Sequence, residues 1–266
     1  MAVKPLAGIG VLVTRPVHQG QRLGGLIESG GGTAIYLPAL EIQPLAELPG
    51  SRAAKGPVDG FQLVIFVSVN AVIHGAVSLL GTRRDLRLAA IGRATAQALE
   101  ALGFPVGVVP DGGFDSEALL RTPALAQVKG QRILIVRGEG GREVLGTELT
   151  ARGAAVTYAE VYRRLPARPE PAQLQALEEL WRHGGIHAYT ATSSELLDAL
   201  VGIVTPRIRE LMDSTALLTG APRVAEAAGR LGLGSPVIMA RRPTDEALVE
   251  ALHTWIEARH RPPSDA

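Results

Sequence analysis

Val11-Leu12-Val13-Thr14-Arg15, read beside Ile133-Leu134-Ile135-Val136-Arg137, is one pattern written twice: an apolar, β-branched run that stops at an arginine, with helical periodicity after it. Working outward from this pair, the correspondence continues in the same order. Each run leads into a helix, a glycine-bearing stop and a longer strand that passes through Tyr36 or Tyr162. Val67-Ser68-Val69-Asn70 then matches Thr192-Ser193-Ser194-Glu195, and Ala90-Ile91-Gly92-Arg93-Ala94-Thr95 matches Leu218-Thr219-Gly220-Ala221-Pro222-Arg223. Ser116-Glu117-Ala118-Leu119-Leu120 closes the series against Asp245-Glu246-Ala247-Leu248-Val249. The numbering offset grows from 122 at Arg15/Arg137 to 129 at Glu117/Glu246 with no change of order, as duplication followed by loop insertions leaves it. Generic strand-helix rhythm explains the periodicity, but not the shared placement of Arg and Ser.

Short apolar runs alternate with helical patterns throughout: Val11–Thr14, Gln62–Val67, Leu88–Ile91, Val106–Val109, Ile133–Val136, Ile186–Tyr189, Ala216–Leu218 and Val237–Met239. This predicts an α/β protein of two lobes, each a parallel sheet flanked by helices, with the working site in a cleft between them. A chain of 266 residues is long enough for two such cores. Leu48–Asp59 and Leu165–Pro171, rich in proline or small residues, are the expected crossings between lobes.

With 27 basic and 26 acidic residues the net charge is +1, so no global field grips a phosphate backbone, and nucleic acid is not an expected partner. The absence of cysteine removes disulfides and thiolate chemistry and agrees with a cytoplasmic setting. Met1–Leu12 holds no apolar stretch of signal-peptide length. Gly60–Thr82 carries no charge and approaches the roughly 20 residues of a membrane helix. Its β-branched start and Ser68, a capping residue at the change of period, predict a strand followed by a helix instead, and no membrane partner.

Where strands give way to helices the chain repeatedly offers small or hydroxyl residues: Ser68, Gly92 with Thr95, Ser116, Thr192-Ser193-Ser194 and Gly220. Exposed N–H groups at helix starts favour anions, and strand ends on one side of an open sheet line its ligand crevice. Each hydroxyl taken singly reads equally as a simple N-cap. Arg15 and Arg137 directly follow strands, while Arg93, Arg142 and Arg223 fall in first helical turns; their forked guanidiniums suit carboxylates. Gly138-Glu139-Gly140-Gly141 imitates a dinucleotide loop, but Glu143 stands where the third glycine is required. No histidine pattern has metal-ligand spacing, and there is no P-loop or nucleophile elbow.

Val11-Leu12-Val13-Thr14-Arg15-Pro16, Leu37-Pro38, Ala90–Thr95, Asp115–Leu120, Ile135-Val136-Arg137-Gly138, Gly141-Arg142-Glu143 and Val161-Tyr162-Arg163-Arg164 together resemble the uroporphyrinogen-III synthase family over nearly the whole chain. The resemblance implies a lyase of haem biosynthesis. It converts the linear tetrapyrrole hydroxymethylbilane into uroporphyrinogen III and water, inverting ring D through a spirocyclic intermediate, with no cofactor and no metal. It also implies a monomer in which residues 1–36 and 166–266 form one lobe and 44–158 the other, joined by a two-stranded antiparallel linker near 34–43 and 157–166. Transient contact with the enzymes before and after it in the pathway is a further implication.

Loss of the hydroxymethyl hydroxyl leaves a resonance-stabilised azafulvene, so positioning rather than covalent catalysis is the task. The resemblance places Tyr162 beside the cleft as the group that helps the hydroxyl leave. It gives Arg15, Ser68, Gly92, Arg93, Thr95, Ser116, Arg137, Thr192, Ser193, Ser194 and Arg223 to the acetate and propionate arms. Gly220-Ala221-Pro222-Arg223 departs from the hydroxyl residues many members carry after this turn. Read from residues alone, a two-lobed binding protein and a scaffold that retains the fold without activity stay open beside the enzyme.

Overall fold

Unbroken apolar runs make strands that are buried on both faces, which is the signature of parallel sheets covered by helices. The computed structural model describes residues 4–45, 58–113 and 115–260. The chain begins β1 (Gly10–Val13), α1 (Val17–Ser29), β2 (Thr33–Tyr36) and β3 (Leu40–Pro44). It continues with β4 (Leu63–Phe66), α2 (Val69–Leu80), β5 (Leu88–Ala90), α3 (Arg93–Ala101), α4 (Ser116–Leu120), β6 (Arg132–Gly138), α5 (Val144–Ala151) and β7 (Ala155–Pro166). The remainder is α6 (Pro171–Arg182), β8 (Ala188–Thr190), α7 (Ser194–Ile203), α8 (Pro206–Asp213), β9 (Ala216–Thr219), α9 (Pro222–Arg230), β10 (Val237–Met239) and α10 (Asp245–His260).

Two compact units result, Met1–Glu41 with Leu165–Ala266, and Ile42–Arg164. The chain therefore crosses at Glu41–Ile42 and at Arg164–Leu165. The second crossing opens the segment expected for it; of the segment expected for the first, Leu48–Asp59, residues 48–57 lie outside the described residues. The stretch read as one linker strand near 34–43 is two strands. β2 pairs in parallel with β1 in one sheet, and β3 lies beside β7 at the edge of the other. Ala167 N–H donates to Ala39 C=O at 2.9 Å and Arg163 Nε to Gln43 Oε1 at 2.9 Å, so rising numbers on one strand face falling numbers on the other, an antiparallel arrangement.

The strand order is β10-β9-β8-β1-β2 in the first unit and β5-β4-β6-β7-β3 in the second. Val108 is bridged in parallel to Ala89 of β5. Placing β6 on β1, β4 on β8, β5 on β9, β7 on β2 and the Val108 bridge on β10 makes the orders coincide, in the correspondence read from the sequence repeat. Each half of the chain gives its first βαβ segment to one unit and the rest to the other. The expected strand Val106–Val109 contracts to that single bridge because Pro105 and Pro110 flank it and cannot donate to a ladder.

Alternation along the strands divides each interior in two. In the first unit Leu12, Tyr189 and Leu217 face α6 to α9, while Val11, Val13, Ala188 and Leu218 face α1 and α10. In the second, Val64, Phe66, Leu134 and Val136 pack beneath α2 and α3, while Leu63, Ile65, Ile133 and Ile135 pack against α4 and α5. The charge-free run Gly60–Thr82 is β4 and α2, and no described helix is long and apolar enough to cross a membrane.

Candidate functional site

The β1, β2, β8, β9 and β10 ladders and the β4, β5, β6 and β7 ladders are parallel, so helix starts and strand ends collect at the carboxyl edge of each sheet. In the second unit β4 ends at Phe66 and Ser68 caps α2, its Oγ accepting the Ala71 N–H at 3.0 Å. The same Oγ lies 3.1 Å from the Tyr162 hydroxyl. Arg164 Nη1 donates toward that hydroxyl at 3.5 Å, and the His74 ring is tilted against the phenol at 6.0 Å between centroids. Tyr162 is 3% exposed, whereas Ser68 is half-buried.

A bulge aims the tyrosine. β6 and β7 are in parallel register through Arg137 and Glu160, but the next partners are Gly138 and Tyr162, so Val161 is an extra residue on β7. Strict alternation would put Tyr162 on the Tyr158 and Glu160 face. With the extra residue, Ala159, Val161 and Tyr162 all join the core beneath α2. Gly138 makes room for the ring: a Cβ there would stand 2.6 Å from Tyr162 Cζ.

Other expected site residues fall on the same edge. Gly92 caps α3 with no side-chain bond to its first N–H groups, and Thr95 is buried in its first turn. Arg93 is exposed, with no ion-pair or hydrogen-bond partner among the described residues. Ser116 is not a cap. Asp115 is, accepting the Ala118 N–H at 2.7 Å, and this carboxylate occupies the position an anion would take at α4. Arg137 was expected to bind a carboxylate of substrate, and it binds one of its own protein. Its Nε and Nη2 donate to Glu160 at 3.2 and 3.0 Å, Nη1 donates to the Gly141 carbonyl, and the guanidinium lies 3.8 Å over the Tyr158 ring. At 7% exposure it braces the turn after β6.

The first unit repeats the plan. Ser193 caps α7 by accepting from Leu196 N–H at 3.1 Å, Thr192 precedes it half-buried, and Ser194 Oγ donates to the Arg223 carbonyl at 3.2 Å. Arg223 is exposed, its guanidinium without a partner among the described residues. Gly220 is required by the backbone of Arg242 and Pro243, which a Cβ would meet at 2.7 Å. Arg15 resembles Arg137 in being engaged internally, by Asp245 at 2.6 Å, and both side chains are largely covered. Thr14 and Thr190, unremarked in the sequence, tie the ends of β1 and β8. Thr14 Oγ1 donates to the Thr190 carbonyl at 2.6 Å, while Thr190 Oγ1 accepts the Thr14 N–H and donates to the Leu12 carbonyl.

Each unit thus carries hydroxyls, helix starts and an exposed arginine, Arg93 in one and Arg223 in the other, at its carboxyl edge, and no three described His, Asp or Glu side chains converge as metal ligands would. A family model described as uroporphyrinogen-III synthase HemD matches residues 21–250. The chain belongs to the uroporphyrinogen-III synthase family. The uroporphyrinogen-III synthase of Escherichia coli is 33% identical over 247 residues, 91% of this chain and 99% of that one. Its Salmonella typhimurium counterpart is 34% identical over 248 residues with the same coverage. Among solved structures, the uroporphyrinogen III synthase of the extreme thermophile Thermus thermophilus, in a mutant form, aligns over 96% of this chain and all of its own at TM-score 0.54 and 21% identity. The Helicobacter pylori uroporphyrinogen-III synthetase aligns over 93% and 99% at TM-score 0.59 and 14% identity, and at these identities the two speak for the α/β fold with its paired parallel sheets.

Proposed function

We propose that this protein closes hydroxymethylbilane to uroporphyrinogen III, inverting ring D and releasing water. The observation that carries the reading within the family is the hydroxyl pair Ser68–Tyr162 at a carboxyl edge, an uncharged O–H source where the reaction needs only a departing hydroxyl assisted. On each edge, acetate and propionate arms go to a helix start and its arginine: the uncapped start Gly92 to Thr95 with Arg93, and the hydroxyls Thr192 to Ser194 with Arg223. Arg15 and Arg137 hold those edges in shape rather than contacting substrate. The reaction uses no cofactor, because the azafulvene formed on loss of hydroxide is stabilised by its own pyrrole.

The cysteine-free composition supports a cytoplasmic enzyme. Hydroxymethylbilane closes unaided to the unflipped isomer, which favours brief contact with the enzymes that supply it and consume the product. The test is product analysis: freshly generated hydroxymethylbilane is given to the purified protein, and the oxidised porphyrins are separated into isomers I and III. Predominant isomer III, lost on heating the protein, is the expected result. Isomer I alone, at the protein-free rate, would instead favour a binding or scaffold role.

A further inference from the structure

Resting on that reading, we infer that Ser68 rather than Tyr162 delivers the proton to the departing hydroxyl, and that Tyr162 is a positioning residue acting through it. The donors and acceptors decide this. A guanidinium can only donate, so the contact from Arg164 at 3.5 Å makes the phenol oxygen an acceptor there. Either oxygen can donate across the 3.1 Å gap, and because a phenol is a better proton donor than an alkanol the relay takes the direction in which Tyr162 donates to Ser68 Oγ. That oxygen already accepts the Ala71 N–H at 3.0 Å. Both of its lone pairs are then engaged, and its remaining function is its own O–H, free to donate away from the protein. Burial agrees: Tyr162 is 3% exposed behind Ser68, which is half-buried.

The step balances in one relay. The Ser68 proton passes to the hydroxymethyl oxygen as the carbon–oxygen bond breaks and water leaves, and the Tyr162 proton moves to Ser68 Oγ. The azafulvenium cation stands against a phenolate held by Arg164. The proton released when ring D regains its aromaticity returns by the same route. The bulge at Val161 and the glycine at 138 then have a common purpose, which is to bring a phenol behind the cap of α2.

The test is the rate of isomer III formation in four variants, each checked for folding by urea denaturation, with the double variant alongside. Ser68→Ala should lower kcat about a hundredfold and leave KM within about twofold. Tyr162→Phe should be nearly as slow, about ten- to a hundredfold down, since Ser68 without the phenol behind it can give up its proton only by becoming an alkoxide, and the double variant should be no slower than Ser68→Ala. Ser68→Thr should restore most of the rate. Ser68→Asp, which caps a helix as well as serine but carries no proton at neutral pH, should stay as slow as Ser68→Ala. A rate restored by Ser68→Asp reduces Ser68 to a helix cap and overturns the proposal. So does a Tyr162→Phe enzyme slower than Ser68→Ala, which would put the phenol itself on the substrate. Either result leaves the synthase reading standing, whereas a wild-type protein that makes only isomer I removes both.

Discussion

Replacing Gly138 by alanine tests how the tyrosine is placed. The new Cβ would lie 2.6 Å from Tyr162 Cζ, 2.8 Å from Cε2 and 3.0 Å from the hydroxyl, where ordinary contact begins at 3.4 Å. The ring has to retreat by about 0.8 Å, and it is held on the other side by the core beneath α2. Overpacking of this kind costs about 1–3 kcal/mol. The same movement disturbs the 3.1 Å bond to Ser68, a further ~1 kcal/mol. Gly138→Ala should therefore lose about 2–4 kcal/mol in urea denaturation and most of its isomer III activity. In a Tyr162→Leu background, where no ring occupies the space, the stability penalty should shrink by at least ~1 kcal/mol while activity stays low. A Gly138→Ala protein as stable and as active as wild type, or a penalty unchanged by Tyr162→Leu, would refute the packing argument.

Arg137→Met should destabilise the protein by about 1–2 kcal/mol, because its hydrogen bonds to Glu160 and the Gly141 carbonyl are lost while the part-exposed Glu160 regains water, and leave KM for hydroxymethylbilane within about threefold in the protein that folds. A large KM change with unaltered stability would return Arg137 to the substrate. Arg93→Ala and Arg223→Ala should each raise KM about three- to tenfold with kcat little changed, the loss fading at high salt, as titration of rate against bilane at two ionic strengths will show. Burial pushes the Tyr189 phenol up to about 12, against the opposing effect of its hydrogen bond with Ser235. Its folded value is raised above the unfolded one, so the contribution is intact below pH 10 and up to roughly 3 kcal/mol is lost as pH climbs from 10 to 12. Tyr189→Phe should flatten that alkaline decline in a pH series of denaturation curves.

The fold was legible because buried parallel strands advertise themselves as apolar runs, and because the repeat carried landmarks in a fixed order through both halves. Val106–Val109 misled by composition: its valines suit a strand, but the flanking prolines withhold the donors a ladder requires. Ser68 and Tyr162 were legible as residues and not as a pair. The bulge that joins them turns on the register of β6 against β7, which no periodicity along β7 alone displays. Arg15 and Arg137 stood out as cations seeking carboxylates, and they have them. Asp245 is 230 positions from Arg15, and Glu160 is 23 from Arg137, so only the folded chain identifies those partners. Ser116 was overshadowed by its neighbour Asp115, whose carboxylate is at least as strong a cap.

The most direct test of the central claim is the isomer ratio as a function of protein concentration, measured on one preparation of hydroxymethylbilane. An enzyme competing with spontaneous closure should drive isomer III upward along a saturating curve until isomer I nearly vanishes. An isomer I fraction that stays constant at every concentration would contradict the account.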